Sequence, residues 1–185
     1  MAGVKVLGFA GSLRKDSYNR AALRAAQELL PPGMTLEIFD LAAIPLFNGD
    51  VESAGFPAPV LEFTERIAVA DALLIATPEY NYSIPGVLKN AIDWASRLPE
   101  RPLKGKPLAM MGASTSYFGT ARAQYHLRQV CVVLDMRPIS DPEVFIPVAA
   151  SKFDAAGKLT DQMSRDGISK LLQALQEWTV RLQDA

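Results

Sequence analysis

The sequence predicts an α/β protein, an open five-stranded parallel sheet with helices on both faces. Three observations carry that expectation. Short apolar runs recur along the chain, each is followed by a longer amphipathic stretch, and the alternation repeats five times. Strands buried between two helical layers read as continuous apolar runs, because both of their faces are covered. A hydrophobic content of 49% in 185 residues supplies the core such a sandwich needs. At that length a folded chain buries roughly 70% of the surface that the unfolded chain exposes.

Val4-Lys-Val-Leu-Gly-Phe-Ala10, ending at Gly11, is the first strand. Asn19 to Leu30, rich in alanine and leucine, is a helix stopped by Pro31-Pro32-Gly33. Thr35 to Asp40 alternates as a second strand, and a loop with Pro45, Gly49, Gly55 and Pro57 runs from Leu41 to about Pro57. A helix over Val60–Val69 leads to Ala72-Leu-Leu-Ile-Ala-Thr77, the clearest buried strand. Pro85 to Arg97 is a helix with proline in its first turn and Ser83 as its N-cap. Pro107–Gly112 is the fourth strand, its Met110 and Met111 belonging to the core, and Ala121–Leu134 the fourth helix. A short fifth strand, interrupted by Pro138 and Pro142, lies between Arg137 and Ile146. Gly167 to Asp184 closes the chain as an amphipathic helix with Leu171, Leu172, Leu175, Trp178 and Leu182 on one side. No repeat or linker divides the chain, so residues 1–185 are expected to form one domain.

Composition removes several functional classes. Lys and Arg total 19 against 20 Asp and Glu, a net charge of −1, where a nucleic-acid binder shows a basic excess. No run approaches the ~20 apolar residues that span a bilayer. The first residues pass directly into a strand-like run without a charged leader. With a single cysteine, Cys131, no internal disulfide can form, and a cytoplasmic location is expected. One histidine and one cysteine exclude a multi-histidine or thiolate metal site. The chemistry must come from carboxylates, hydroxyls, backbone or a bound cofactor.

In open α/β sheets ligands bind beyond the carboxyl ends of the strands, where the strand order reverses. That nominates the loops after the first, third and fourth strands. Gly11-Ser-Leu-Arg-Lys-Asp-Ser-Tyr-Asn19 is neither a dinucleotide fingerprint nor a Walker A loop. It offers Ser12 and Ser17 hydroxyls, the Asn19 amide, the Arg14 guanidinium and free N–H groups at a helix start, a donor set for a phosphate monoester. An ordinary capped helix with solvated basic residues accounts for the same loop equally well. Thr77-Pro-Glu-Tyr-Asn-Tyr-Ser-Ile-Pro-Gly86 sets two tyrosines and an asparagine at the end of the most buried strand, a ledge for a hydrogen-bonding ring system. Gly112-Ala-Ser-Thr-Ser-Tyr-Phe-Gly119 is small enough to bring backbone against a ligand edge. A phosphate site, an aromatic ledge and a small-residue loop on one rim describe FMN.

These segments resemble the NADPH-dependent FMN reductase family, and most closely its bacterial quinone/chromate reductase branch. The likeness is carried by Gly11-Ser-Leu-Arg-x-x-Ser-x-Asn19, Pro78-Glu-Tyr-Asn-Tyr-Ser83, Pro85-Gly-x-Leu-Lys-Asn-Ala-Ile-Asp-Trp94 and Ala121-Arg-x-Gln-Tyr-His-Leu-Arg-Gln129, in order and across nearly the whole chain. The resemblance implies a flavodoxin-like fold, bound FMN, NADPH or NADH as co-substrate, and a homodimer or homotetramer. It assigns cofactor binding to Ser12, Leu13, Arg14, Lys15, Asp16, Ser17, Tyr18 and Asn19, to Pro78, Glu79, Tyr80, Asn81 and Tyr82, and to Ser114. Ser116 and Tyr117 depart from the Gly-Arg that close relatives often carry, where the substrate should enter.

The reaction implied is ping-pong: hydride from NAD(P)H to FMN, then onward to a small-molecule acceptor such as a quinone, with chromate, azo and nitro compounds also open. The flavin carries the chemistry, so no catalytic acid or base is assigned. His126 and Cys131 read as structural residues, and Trp94 as packing. Arg122, Tyr125 and Arg128 share one helical side, suited either to a subunit contact with Glu143 or to solvent. Two alternatives stay open: a flavodoxin-type electron carrier, which net charge −1 fits poorly, and a reductase that releases FMN as product. A phospho-signalling receiver is excluded, because Ala10-Gly11-Ser12 stands where its acidic metal ligands would be.

Overall fold

In the computed structural model, which describes residues 3–184, six parallel strands make one sheet. They are β1 (Val4–Ala10), β2 (Met34–Phe39), β3 (Ala72–Ala76), β4 (Pro107–Ala113), β5 (Arg137–Pro138) and β6 (Val144–Ile146). The order is β2-β1-β3-β4-β5, with β6 also paired to β4. This is the flavodoxin-like order, and its reversal falls between β1 and β3. The direct start at Met1 rests in part on Met1 and Ala2, which lie outside the described residues.

Among the described residues there are six α-helices: α1 (Tyr18–Glu28), α2 (Gly49–Ala54), α3 (Ala58–Val69), α4 (Gly86–Ala95), α5 (Ala121–Val133) and α6 (Gln162–Gln183). Alternation along each strand divides the core in two. Val4, Val6, Ala72, Leu74, Ala109 and Met111 pack with α1 and α6. Leu7, Phe9, Leu73, Ile75, Leu108 and Met110 pack with α3, α4 and α5 on the opposite face. Trp94 is fully buried in that second layer and its Nε1 donates to Pro45 O at 2.9 Å, so it is a packing residue as expected.

Three local expectations are corrected. The fifth strand is two short strands on the same side of β4: Arg137–Pro138 pairs with its start, and Val144–Ile146 with its end, separated by a segment holding Pro142. Proline lacks the N–H that a continuous ladder requires. The Leu41–Pro57 loop contains a 3-10 turn at Leu41–Ala43, capped by Asp40, and the short α2, capped by Asn48. The last helix starts at Gln162, five residues before Gly167. Its N-cap is Asp161, whose carboxylate accepts from Ser164 N and Oγ at 2.9 and 2.6 Å. Gly167 is therefore interior to α6.

Candidate functional site

The carboxyl ends of β1, β3 and β4 meet at a cavity of about 390 Å³, lined by Ser12, Arg14, Ser17, Tyr18, Asn19, Pro78, Glu79, Tyr80, Ala113, Ser114 and Thr115. All three loops chosen from the sequence contribute to it, and its size lies within the range of cofactor sites. Two glycines let the chains come this close. A Cβ on Gly112 would lie 2.3 Å from Thr77 O and 2.0 Å from Thr120 Oγ1, so β4 passes flush against the end of β3. On Gly11 it would lie 2.7 Å from Pro85 Cγ, which holds the first loop against the start of α4.

The start of α1 carries the anion-binding features. Ser17 is its N-cap and accepts from Arg20 N at 3.4 Å. The Tyr18 and Asn19 N–H groups have no protein acceptor among the described residues, as the first turn of a helix dictates. Ser12 and Ser17 are buried, and Arg14 is exposed above them with its Nη2 donating to Asp16 O at 2.9 Å. Buried hydroxyls, free N–H groups and a nearby guanidinium fit a phosphate ester. The side-chain amide of Asn19 is committed elsewhere: it donates to Ala113 O and accepts from Ala113 N, both at 2.9 Å. This buried reciprocal pair ties α1 to the end of β4, leaving Asn19 its N–H for a ligand. Leu13, Lys15 and Asp16 are exposed and do not line the cavity.

The second loop is a tight hairpin rather than a flat ledge. Tyr80 and Ser83 exchange both backbone hydrogen bonds at 3.0 Å. Between them Asn81 and Tyr82 have φ of 48° and 68°. Two-residue turns of this hand require positive φ at both positions. Asparagine tolerates it, whereas tyrosine there costs on the order of 1–3 kcal/mol and must be held by its surroundings. Ser83 closes this hairpin instead of capping α4, which Pro85 precedes without a side-chain cap.

What holds the hairpin is α5. Glu79, only 5% exposed at its side chain, pairs with Arg122 and accepts from Ala123 N at 3.2 Å, filling the N-terminus of α5 with its own carboxylate. Arg122 stacks on the Tyr82 ring. Ser83 Oγ meets His126 Nδ1 at 3.0 Å, a structural role for the single histidine. Tyr80 lines the cavity, while Asn81 and Tyr82 stand beyond its edge.

In the third loop Ser114 N donates to Ile146 O at 3.0 Å, and its hydroxyl faces Ser116 Oγ at 3.2 Å. Tyr117 and Phe118 follow, strongly exposed. Ala113 and Thr115 also line the cavity, and their only sequence signal is membership of the small-residue run Gly112–Gly119. Arg122 likewise lay within a family motif, but its link to Glu79 spans 43 residues and has no local sequence signal. Tyr125 reaches Glu143 at 3.4 Å and Arg128 donates to Ile139 O at 2.9 Å, so that side of α5 is braced within the chain. Burial pushes the Cys131 thiol up to about 12, which leaves it a small core residue.

The family model of NADPH-dependent FMN reductase matches residues 4–151, which include every element of this cavity. The chain belongs to that family. It is 60% identical over 179 residues to an NAD(P)H-dependent FMN reductase of Pseudomonas aeruginosa, with 97% of each covered. With the quinone reductase of Escherichia coli K12 it shares 43% over 182 residues, again 97% of each. Among solved structures, a flavoenzyme NAD(P)H:(acceptor) oxidoreductase from Paracoccus denitrificans matches with a TM-score of 0.87 and 35% identity, over 96% of this chain and 98% of the other. This member of an oxidoreductase family thus has the flavodoxin-like architecture expected of it. Among the described residues no helix is long and apolar enough to cross a membrane.

Proposed function

We propose that this family member is an FMN-bearing NAD(P)H-dependent oxidoreductase that passes reducing equivalents to quinones or similar small acceptors, with chromate, azo and nitro compounds within reach. The observation that carries this reading is the convergence of unfilled donors at the start of α1 with the β3 and β4 loops on one cavity. When bound, FMN would supply the redox chemistry that couples oxidation of NAD(P)H to reduction of an acceptor. Ser12, Ser17, Arg14 and the N–H groups of Tyr18 and Asn19 would hold its phosphate. Pro78, Glu79, Tyr80, Ser114 and Thr115, which line the same cavity, would hold the rest of the cofactor, and Tyr82 stands outside that lining. No side chain is assigned a proton transfer. Net charge −1 disfavours a diffusing carrier, which docks partners through strong charge. A cytoplasmic location and a homodimer or homotetramer complete the proposal.

The test begins with the colour of the purified protein. A yellow protein bleached by NADPH or NADH without oxygen, and restored by a benzoquinone, is the expected result. Colourless protein that turns over added FMN points to the alternative in which FMN is substrate. Protein that binds no FMN at all overturns both.

A further inference from the structure

The inner edge of the cavity is braced by a turn whose own residue resists it. Of the five non-glycine residues with positive φ among the described residues, Val148 alone is β-branched. It sits in the left-handed region, at φ 49° and ψ 42°. There a branched Cβ crowds the following carbonyl oxygen, and the conformation persists only where its surroundings impose it. Hydrogen bonds impose it here. Val148 N donates to Ser116 O at 3.1 Å and Ala149 N to Ser114 O at 3.0 Å. Val148 O accepts from Ser151 N and Oγ at 3.1 and 3.0 Å. The turn thus sends two successive N–H groups to the loop after β4, whose Ser114 and Thr115 line the cavity. The valine side chain is 37% exposed and gives little packing in return.

We propose that Val148 is a positioning residue for cofactor retention, whose strained turn holds the Ser114–Ser116 loop at the cavity and sets how fast FMN leaves. The inference rests on FMN occupying the cavity as proposed above. Relaxation of Val148 to the extended backbone that valine prefers breaks the bonds to Ser116 and Ser114 together. The loss of those bonds is partly offset by the strain relieved, so the loop opens more often than an unstrained turn allows. Glycine enters the left-handed region without that penalty, keeps both N–H groups and removes the offset. Threonine, branched at Cβ like valine, preserves it.

The test compares Val148→Gly and Val148→Thr with the unaltered full-length protein, each loaded with FMN. In Val148→Gly the rate of FMN loss on dilution, read by flavin fluorescence, should fall about three- to tenfold. The melting temperature of its FMN-free form should rise by about 2–4 °C. Val148→Thr should match the parent in both. A side chain that merely packed or shaped the cavity would have the opposite effect, since its removal would speed FMN loss. Faster or unchanged loss in Val148→Gly therefore overturns the proposal, as does a lowered melting temperature. Equal slowing in Val148→Thr overturns it too, because the strain is then not the cause. If the unaltered protein holds no FMN, the proposed function fails instead, and hydrogen exchange in the FMN-free chain decides the role of Val148. The Ala149 amide should then exchange more slowly in Val148→Gly than in the parent, and equal rates overturn the inference.

Discussion

Two helices begin on the same rim of this molecule, and their N-termini are used in opposite ways. Both α1 and α5 follow a parallel strand and aim unpaired N–H groups at the carboxyl end of the sheet, where the helix dipole favours negative charge. At α1 only a serine caps the first turn, a second serine stands beside it, and Arg14 lies above. At α5 the side-chain cap is missing from Thr120, and Glu79 arrives from another loop to fill the position with a carboxylate. The first terminus meets no carboxylate of the described residues, and the second is satisfied by one.

The comparison can be broken most severely at Asn19, on which the open terminus depends. Asn19→Leu removes both bonds to Ala113 and leaves a buried N–H and C=O without partners. We expect a loss of about 2–4 kcal/mol in urea unfolding, together with weakened FMN retention. A variant as stable as the parent would show that the α1–β4 tie is dispensable.

Glu79→Ala tests the filled terminus. It leaves Arg122 without its anion beside a vacant helix start, at a cost of about 1–3 kcal/mol. Added inorganic phosphate should then raise the melting temperature of this variant by more than that of the parent. Equal responses would mean that the two ends differ in more than the presence of the carboxylate.

Arg14→Ala sharpens the contrast at α1 with a ligand rather than a stability measurement. FMN should bind about tenfold more weakly, near 1.4 kcal/mol. Riboflavin, which lacks the phosphate, should bind as before in fluorescence titration. A parallel loss for riboflavin would take Arg14 away from the phosphate.

The smallest effect is expected at the far end of α5, at Cys131. Its folded thiol titrates at about 12 rather than 9.0, because burial disfavours the thiolate. A raised folded value means a stability contribution fully present below the unfolded value and lost as pH rises through the folded one. Stability should therefore decline between the two values, and Cys131→Ala should flatten that decline. Iodoacetamide should leave the thiol untouched in the native protein; rapid labelling would contradict its burial.

Much of the architecture was legible because its signals are local. The runs Val4–Ala10, Ala72–Thr77 and Pro107–Gly112 are apolar throughout, and only strands covered on both faces need that. The prolines mark an interruption in the fifth strand, but that its two halves pair with opposite ends of β4 is a fact of register that no window contains. The start of α6 is hidden from the sequence because Gly167 looks like a boundary, while the actual cap, Asp161 with Ser164, lies outside the apolar periodicity.

The site divides in the same way. Sequence alone named the three loops and the groups Ser12, Arg14 and Ser17, since residue type and position after a strand suffice to nominate them, and the structure brings them to one cavity. Tertiary structure decided how those groups are spent. It gave the Asn19 amide to Ala113, set Glu79 on the start of α5, and turned Asn81-Tyr82 into a strained hairpin held by Arg122. Each of these contacts joins residues far apart in the chain or forces a conformation that the residue does not prefer alone. Local preference names the groups available, and only the packed sheet ends determine which remain free.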